Sequence, residues 1–245
     1  MHDWIIPDWP PSNTVKAIST TRSGGVSKNS YQSLNLGLYV NDDLTNVLQN
    51  RQILKSKLLL KAEPFWLKQV HSNKVLPTNK IVRNESAADA AISFKRDEVC
   101  AVLTADCLPV LFTNAKGDTV AAAHAGWRGL YKGILENTVA AFNDKPQDIY
   151  AWLGPAIGPE SFEVGAEVRE AFVEDLAECS KAFIPETSGK WLADIYQLAK
   201  LRLKRAGLTK IYGGGFDTMT DSKFFSYRNN PESGRMASLI WIDKS

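Results

Sequence analysis

The chain has 245 residues, 44% hydrophobic and 23% charged, with a formal net charge of +2. This composition supports a sizeable globular core, and a charge so near zero, with Lys and Arg scattered, argues against a nucleic-acid or membrane partner. No run approaches the ~18 apolar residues of a membrane span, the N-terminus lacks a basic-then-apolar leader pattern, and the irregular spacing of Cys100, Cys107 and Cys179 suits a reducing compartment. The expectation is a cytoplasmic protein with a single domain over 1–245, in which Cys100 and Cys179 are structural.

In chain order, VKAIST (15–20) reads as a strand, and TRSGGVS (21–27) as a Gly-Gly turn with Arg22 beside it. Leu44, Val47, Leu48, Ile53, Leu54 and Leu58 recur near helical period, predicting a helix from Asp43 to about Lys61 capped by Asp42 or Asp43. Strands are then expected at PFWLKQV (64–70), KVLPT (74–78), ADAAIS (88–93), EVCAVLT (98–104), PVLFTN (109–114) and TVAAAH (119–124). Leu130, Ile134, Leu135, Val139 and Phe142 predict a helix beginning just after His124, its positive end toward that histidine. A strand at DIYAWLG (148–154), the irregular loop PAIGP (155–159), helices near 165–181 and 192–206, and strands at KIYGG (210–214), KFFSYR (223–228) and RMASLIWI (235–242) complete the pass. Hairpins mixed with single crossovers favour α+β with mixed sheets over a doubly wound parallel sheet. Dinucleotide-binding, P-loop and nucleophile-elbow motifs are all missing from the sequence.

The informative residues are His71, Cys107 and His124, each at the end of an apolar run where a turn follows. Two imidazoles and a thiolate bind Zn²⁺ and leave one tetrahedral position free for chemistry. Separations of 36 and 17 residues make the spacing itself weak evidence, and each residue alone reads equally as core.

These segments, together with TTRSGGVS, SLNLGLYVND, WLGPAIGP and FFSYRNNPESGRMA, resemble the YfiH family, also called the laccase-domain or purine nucleoside phosphorylase-like family, from about Ile5 to Ile242. The resemblance implies a cytoplasmic bacterial protein with zinc held by His71, Cys107 and His124. It also implies an α+β fold of mixed sheets packed as a sandwich with flanking helices, similar to cysteine deamidase toxins. Family members are described as enzymes of purine nucleosides, combining phosphorolysis of adenosine, inosine, guanosine and methylthioadenosine with deamination of adenosine. Others are described as polyphenol oxidases, for which copper is the metal, and as factors maintaining cell-wall peptide composition. Many relatives carry a cysteine where this chain has Asp217.

For deamination, zinc-activated water needs a carboxylate for proton transfer, and Asp106 and Asp217 are the candidates. Asp106 reaches the site only if the chain turns there, and its alternative role is to cap that turn. Phosphorolysis needs cations for phosphate: Arg22, Arg51, Arg228 and, more weakly, Arg128, with Ser19 and Asn35 as nucleoside contacts. Trp127, Phe224, Phe225 and Tyr227 are candidates for a base-stacking wall or for core, and strand alternation would set Phe224 and Phe225 on opposite faces. A rival reading makes Cys107 a nucleophile and His124 its base in an amide hydrolase.

Overall fold

The computed structural model describes residues 3–10 and 12–243. In chain order the elements are strand β1 (Val15–Ser19), helix α1 (Leu44–Lys57), strands β2 (Val75–Pro77), β3 (Ala90–Ser93), β4 (Cys100–Thr104), β5 (Leu108–Asn114) and β6 (Val120–Ala125), and helices α2 (Trp127–Tyr131) and α3 (Ile134–Ala140). There follow β7 (Ile149–Leu153), β8 (Glu163–Val164), α4 (Ala166–Asp175), β9 (Phe183–Pro185), β10 (Trp191–Ala193), α5 (Ile195–Arg205), β11 (Lys210–Gly213) and β12 (Met236–Ile242).

The architecture is α+β. A six-stranded sheet in the order β11-β7-β5-β6-β3-β2 is mixed, parallel at its two edge pairs and antiparallel between. It packs on an antiparallel sheet, β1-β12-β4. Side-chain alternation builds the layers. On β5, Leu111 faces the second sheet with Cys100, Val102 and Ile240, whereas Val110 and Phe112 face Leu130, Ile134 and Leu203 of the helices. The outer face of the second sheet, through Ala101, Leu239 and Trp241, packs on Leu54 of α1. Both central strands are therefore buried on both faces, which is why they read as nearly continuous apolar runs.

Asp43 caps α1, accepting from the Thr45 N–H at 2.7 Å, and Asp194 caps α5 through the Gln197 N–H at 2.9 Å. Four expectations need correction. The 64–70 segment forms only isolated bridges, Phe65 with Cys100 and Lys68 with Ala87; Phe65 and Leu67 enter one core and Trp66 another, so it threads between layers instead of lying in a sheet. The helix after His124 is two short pieces separated at Gly133, whose φ of 91° only glycine adopts readily. The third helix stops at Asp175 and continues as a 3₁₀ turn over Ala177–Ala182. KFFSYR turns instead of extending, so Phe224 and Phe225 are both buried together with Ala105 and Met236. The small sheet β8-β10-β9 has strands of two or three residues, too short to register as a periodic pattern.

Candidate metal centre

Three chain reversals assemble the site. His71 follows the threading segment with φ of 56°, Cys107 follows Asp106 with φ of 86° in the β4–β5 turn, and His124 sits near the end of β6, paired with Pro109 of β5. Positive φ is uncommon for such residues, and here it aims side chains from separate segments at one point. One ligand atom from each of His71, Cys107 and His124 lies within 4.8 Å of the others, and among the described residues no fourth His, Cys, Asp or Glu joins them.

The donor set fits a metal ion. His71 Nδ1 is buried without a hydrogen-bond partner, an arrangement that costs free energy unless something else takes its lone pair. A Cβ added at Gly126 would lie 2.7 Å from that nitrogen and 2.9 Å from Cys107 Sγ, so the backbone approaches the triad too closely for any side chain. Zinc or copper suits two imidazoles and a thiolate.

One fully buried carboxylate organises the triad. Asp89 pairs through Oδ1 with His124 Nδ1 at 2.9 Å and accepts from the His71 N–H at 3.0 Å. Its Oδ2 accepts from the Ser72 N–H at 2.6 Å, the Ser72 hydroxyl at 2.7 Å and the Val70 N–H at 3.3 Å. Burial opposes its ionisation, yet the bonds from His124 and Ser72 prevail and hold it at about 2. For His124 burial opposes charge, but the Cys107 sulfur and Asp89 raise the imidazole to about 9 without metal; burial and His124 lower His71.

The triad opens into a cavity of about 510 Å³, lined among others by Gln69, Asp106, Trp127, Arg128, Arg228 and Arg235. Asp106 is its only lining carboxylate among the described residues. Its oxygens accept from the Thr218 hydroxyl at 2.7 Å and the Arg228 N–H at 2.6 Å.

The sequence model of the family described as multi-copper polyphenol oxidoreductase laccase matches residues 16–243. The chain belongs to that family. A Shigella flexneri protein named purine nucleoside phosphorylase YfiH is 52% identical over 243 residues, covering 99% of this chain and 100% of that one. A purine nucleoside phosphorylase of Pseudomonas aeruginosa is 48% identical, with 99% of each chain covered. The crystal structure of NMB0706 from Neisseria meningitidis superposes with a TM-score of 0.95 at 47% identity, over 99% of this chain and 100% of that one.

Within this laccase-type fold the triad, Asp106, Arg128 and Arg228 line one cavity. Ser19, Arg22, Asn35 and Arg51 do not line the cavity. Ser19 is buried in β1 with its hydroxyl on Ser238 at 2.9 Å. Arg22 Nε donates to the Gln32 carbonyl at 2.8 Å and its guanidinium lies over Phe225. Arg51 is buried over Trp66, donates from Nε and Nη2 to the Leu36 carbonyl, and is lowered to about 10 by burial. Asn35 acts at one remove, accepting from the Gly37 N–H and, at 2.9 Å, from the Arg235 N–H. Asp217 also lies outside the lining, engaged by the Gly158 N–H, the Ser161 hydroxyl and the Met219 N–H. Phe224 and Phe225 are core, whereas Trp127 and Tyr227 line the cavity. Sequence reasoning missed Asp89 and Arg235; a lone carboxylate in the alanine-rich ADAAIS was the available signal for the first.

Proposed function

We propose that this chain is a zinc-dependent purine nucleoside enzyme, acting in the cytoplasm on a small nucleoside and phosphate, by phosphorolysis of adenosine, inosine, guanosine and methylthioadenosine and by hydrolytic deamination of adenosine. The observation that carries the reading is a His, Cys, His triad with an orphaned imidazole nitrogen at the floor of a cavity that arginines and aromatics also line. The names of the Shigella and Pseudomonas relatives support the substrate class, and three unpaired cysteines suit the compartment.

His71, Cys107 and His124 would hold the ion, which supplies Lewis acidity that brings water's ionisation toward neutral pH. Asp89 fixes His124 with Nδ1 toward the carboxylate and Nε2 toward the cavity. Asp106 is the proposed proton carrier to the purine: it alone among described carboxylates lines the cavity, and Thr218 and the Arg228 amide orient it. Trp127 and Tyr227 offer ring faces to a base, and Arg228 offers a cationic group to phosphate.

A second reading rests on a specific contact chain. A Cys107 sulfur within 4.8 Å of a His124 ring nitrogen, and His124 Nδ1 on Asp89 at 2.9 Å, give the order required for a thiol nucleophile with an oriented base, as an amide hydrolase of cell-wall peptide precursors would use. One thiolate cannot serve both purposes at once. Product analysis on adenosine and inosine, with and without phosphate, separates the readings: the nucleoside reading expects adenine and hypoxanthine only with phosphate, and inosine from adenosine either way. Absence of all three products would replace it with the hydrolase.

A further inference from the structure

Two sets of arginines in this protein contrast. Arg202 and Arg205 are ion-paired with Glu136 and Asp175. Arg128, Arg228 and Arg235 line the cavity, and none has a carboxylate partner within ion-pair distance among the described residues. Each lies over an aromatic face, Arg128 on Trp127, Arg228 on Phe162 and Arg235 on Tyr227. Burial lowers Arg235, so an unpaired cation there is held at a cost that a bound anion would offset.

Which donors are engaged decides what these groups can bind. Bidentate pairing with a phosphate or carboxylate often uses the Nε–Nη2 edge of the guanidinium, two parallel N–H bonds on one side of the plane. Arg22 and Arg51 have Nε committed to backbone carbonyls, which closes that edge. Among the described residues the Arg228 guanidinium donates only from Nη1, to the Glu163 carbonyl at 3.0 Å. Arg235 likewise donates only from Nη1, to the Ser233 and Gly234 carbonyls at 2.7 and 3.0 Å. In both, fixing one nitrogen to the backbone leaves the bidentate edge open. Their main chains are held as well, the Arg228 N–H by Asp106 and the Arg235 N–H by Asn35.

We infer that the Nε–Nη2 edges of Arg228 and Arg235 form the subsite for inorganic phosphate. Arg128 adds positive charge to the same cavity lining, and Asn35 and Asp106 are positioning residues for the two forks. The inference rests on the nucleoside reading for the role of the phosphate, as nucleophile toward the sugar, but the subsite itself is measurable without turnover.

The test titrates inorganic phosphate, and separately adenosine 5′-monophosphate, into the zinc-loaded protein by calorimetry. Arg235→Gln and Arg228→Gln are expected to weaken inorganic phosphate about tenfold or more each, Arg235→Lys to recover part of the loss, and Arg22→Gln to change nothing. In the unaltered protein, saturating phosphate should protect Arg228 and Arg235, and not Arg22, from phenylglyoxal, read by mass spectrometry, so that a variant that fails to fold does not decide the matter. Unchanged phosphate affinity in folded Arg235→Gln, absence of protection, or binding of the monophosphate without binding of inorganic phosphate each overturns the assignment. Phosphate binding that depends on both arginines without any phosphorolysis would sustain the subsite and remove the nucleoside reading instead.

Discussion

Replacing Asp89 by Asn keeps the side chain's shape and removes one acceptor oxygen, which makes the cost calculable from contacts. If the amide oxygen stays toward His124 and His71, the amide nitrogen faces the Ser72 N–H and hydroxyl, which now lie 2.6 and 2.7 Å from a donor. The flipped rotamer instead sets a donor against the His71 N–H and His124 Nδ1. Either way at least two buried hydrogen bonds are lost, at about 1–3 kcal/mol each, giving roughly 2–6 kcal/mol of destabilisation. The carboxylate is held at about 2 against an ordinary 3.8. A depressed carboxylate stabilises the metal-free fold above its unfolded value, and that contribution disappears as pH falls through its folded value. The stability difference between the parent and Asp89→Asn, measured by denaturant titration of metal-free protein, should therefore be full at neutral pH and shrink below pH 3.8 toward 2. Zinc affinity, by competition with a chromophoric chelator, should fall about 10- to 100-fold because two ligands lose their orientation. A folded Asp89→Asn protein with zinc affinity within twofold of the parent would refute the reasoning.

Gly126→Ala should leave α2 intact, since φ −63° and ψ 156° suit alanine, yet weaken zinc about tenfold or more because the new methyl meets His71 Nδ1 and Cys107 Sγ; helical circular dichroism and chelator competition check the two halves. Arg202→Met removes a buried cation from between Glu136 and Asp175, which are partly exposed and keep Arg205 as a partner; a loss of about 1–2 kcal/mol, seen as a melting temperature about 2–8 °C lower, is expected with kcat per folded molecule unchanged. Asp106→Asn, tolerated at φ 86° because asparagine adopts left-handed backbone, should keep zinc while lowering the kcat of deamination by about 10²-fold or more; unchanged kcat assigns Asp106 to turn architecture alone.

Where burial is two-sided and periodic, the fold was legible in sequence: the apolar runs of β4 to β7 and β12 and the capped helices α1 and α5 stand close to where pattern and caps predict them. The misreadings share a cause. Residues 64–70 and 223–228 look like strands because they are aromatic and apolar, but Trp66 and Phe225 are apolar in order to fill gaps between layers, and period-2 alternation does not distinguish the two uses. The convergence of His71, Cys107 and His124 was legible in part because each ends a strand or apolar run. Which arginines line the cavity was not legible, because adjacency to a motif says nothing about which guanidinium edge a backbone carbonyl will occupy. Arg22 and Arg51, held on backbone carbonyls, lie outside the lining and Arg235 lies within it. The role of Asp89 was not legible beyond a lone carboxylate in an apolar run, because its five donors come from residues that only the tertiary fold brings within reach.

The central claim, that a metal held by His71, Cys107 and His124 serves nucleoside chemistry, is tested most directly by stripping and restoring zinc while following adenosine turnover in phosphate. The expected results are about one zinc per chain, loss of both adenine and inosine formation on chelation, recovery of both on adding zinc, and neither metal nor turnover in Cys107→Ala. Full turnover by metal-free protein, or stoichiometric zinc in Cys107→Ala, would contradict it.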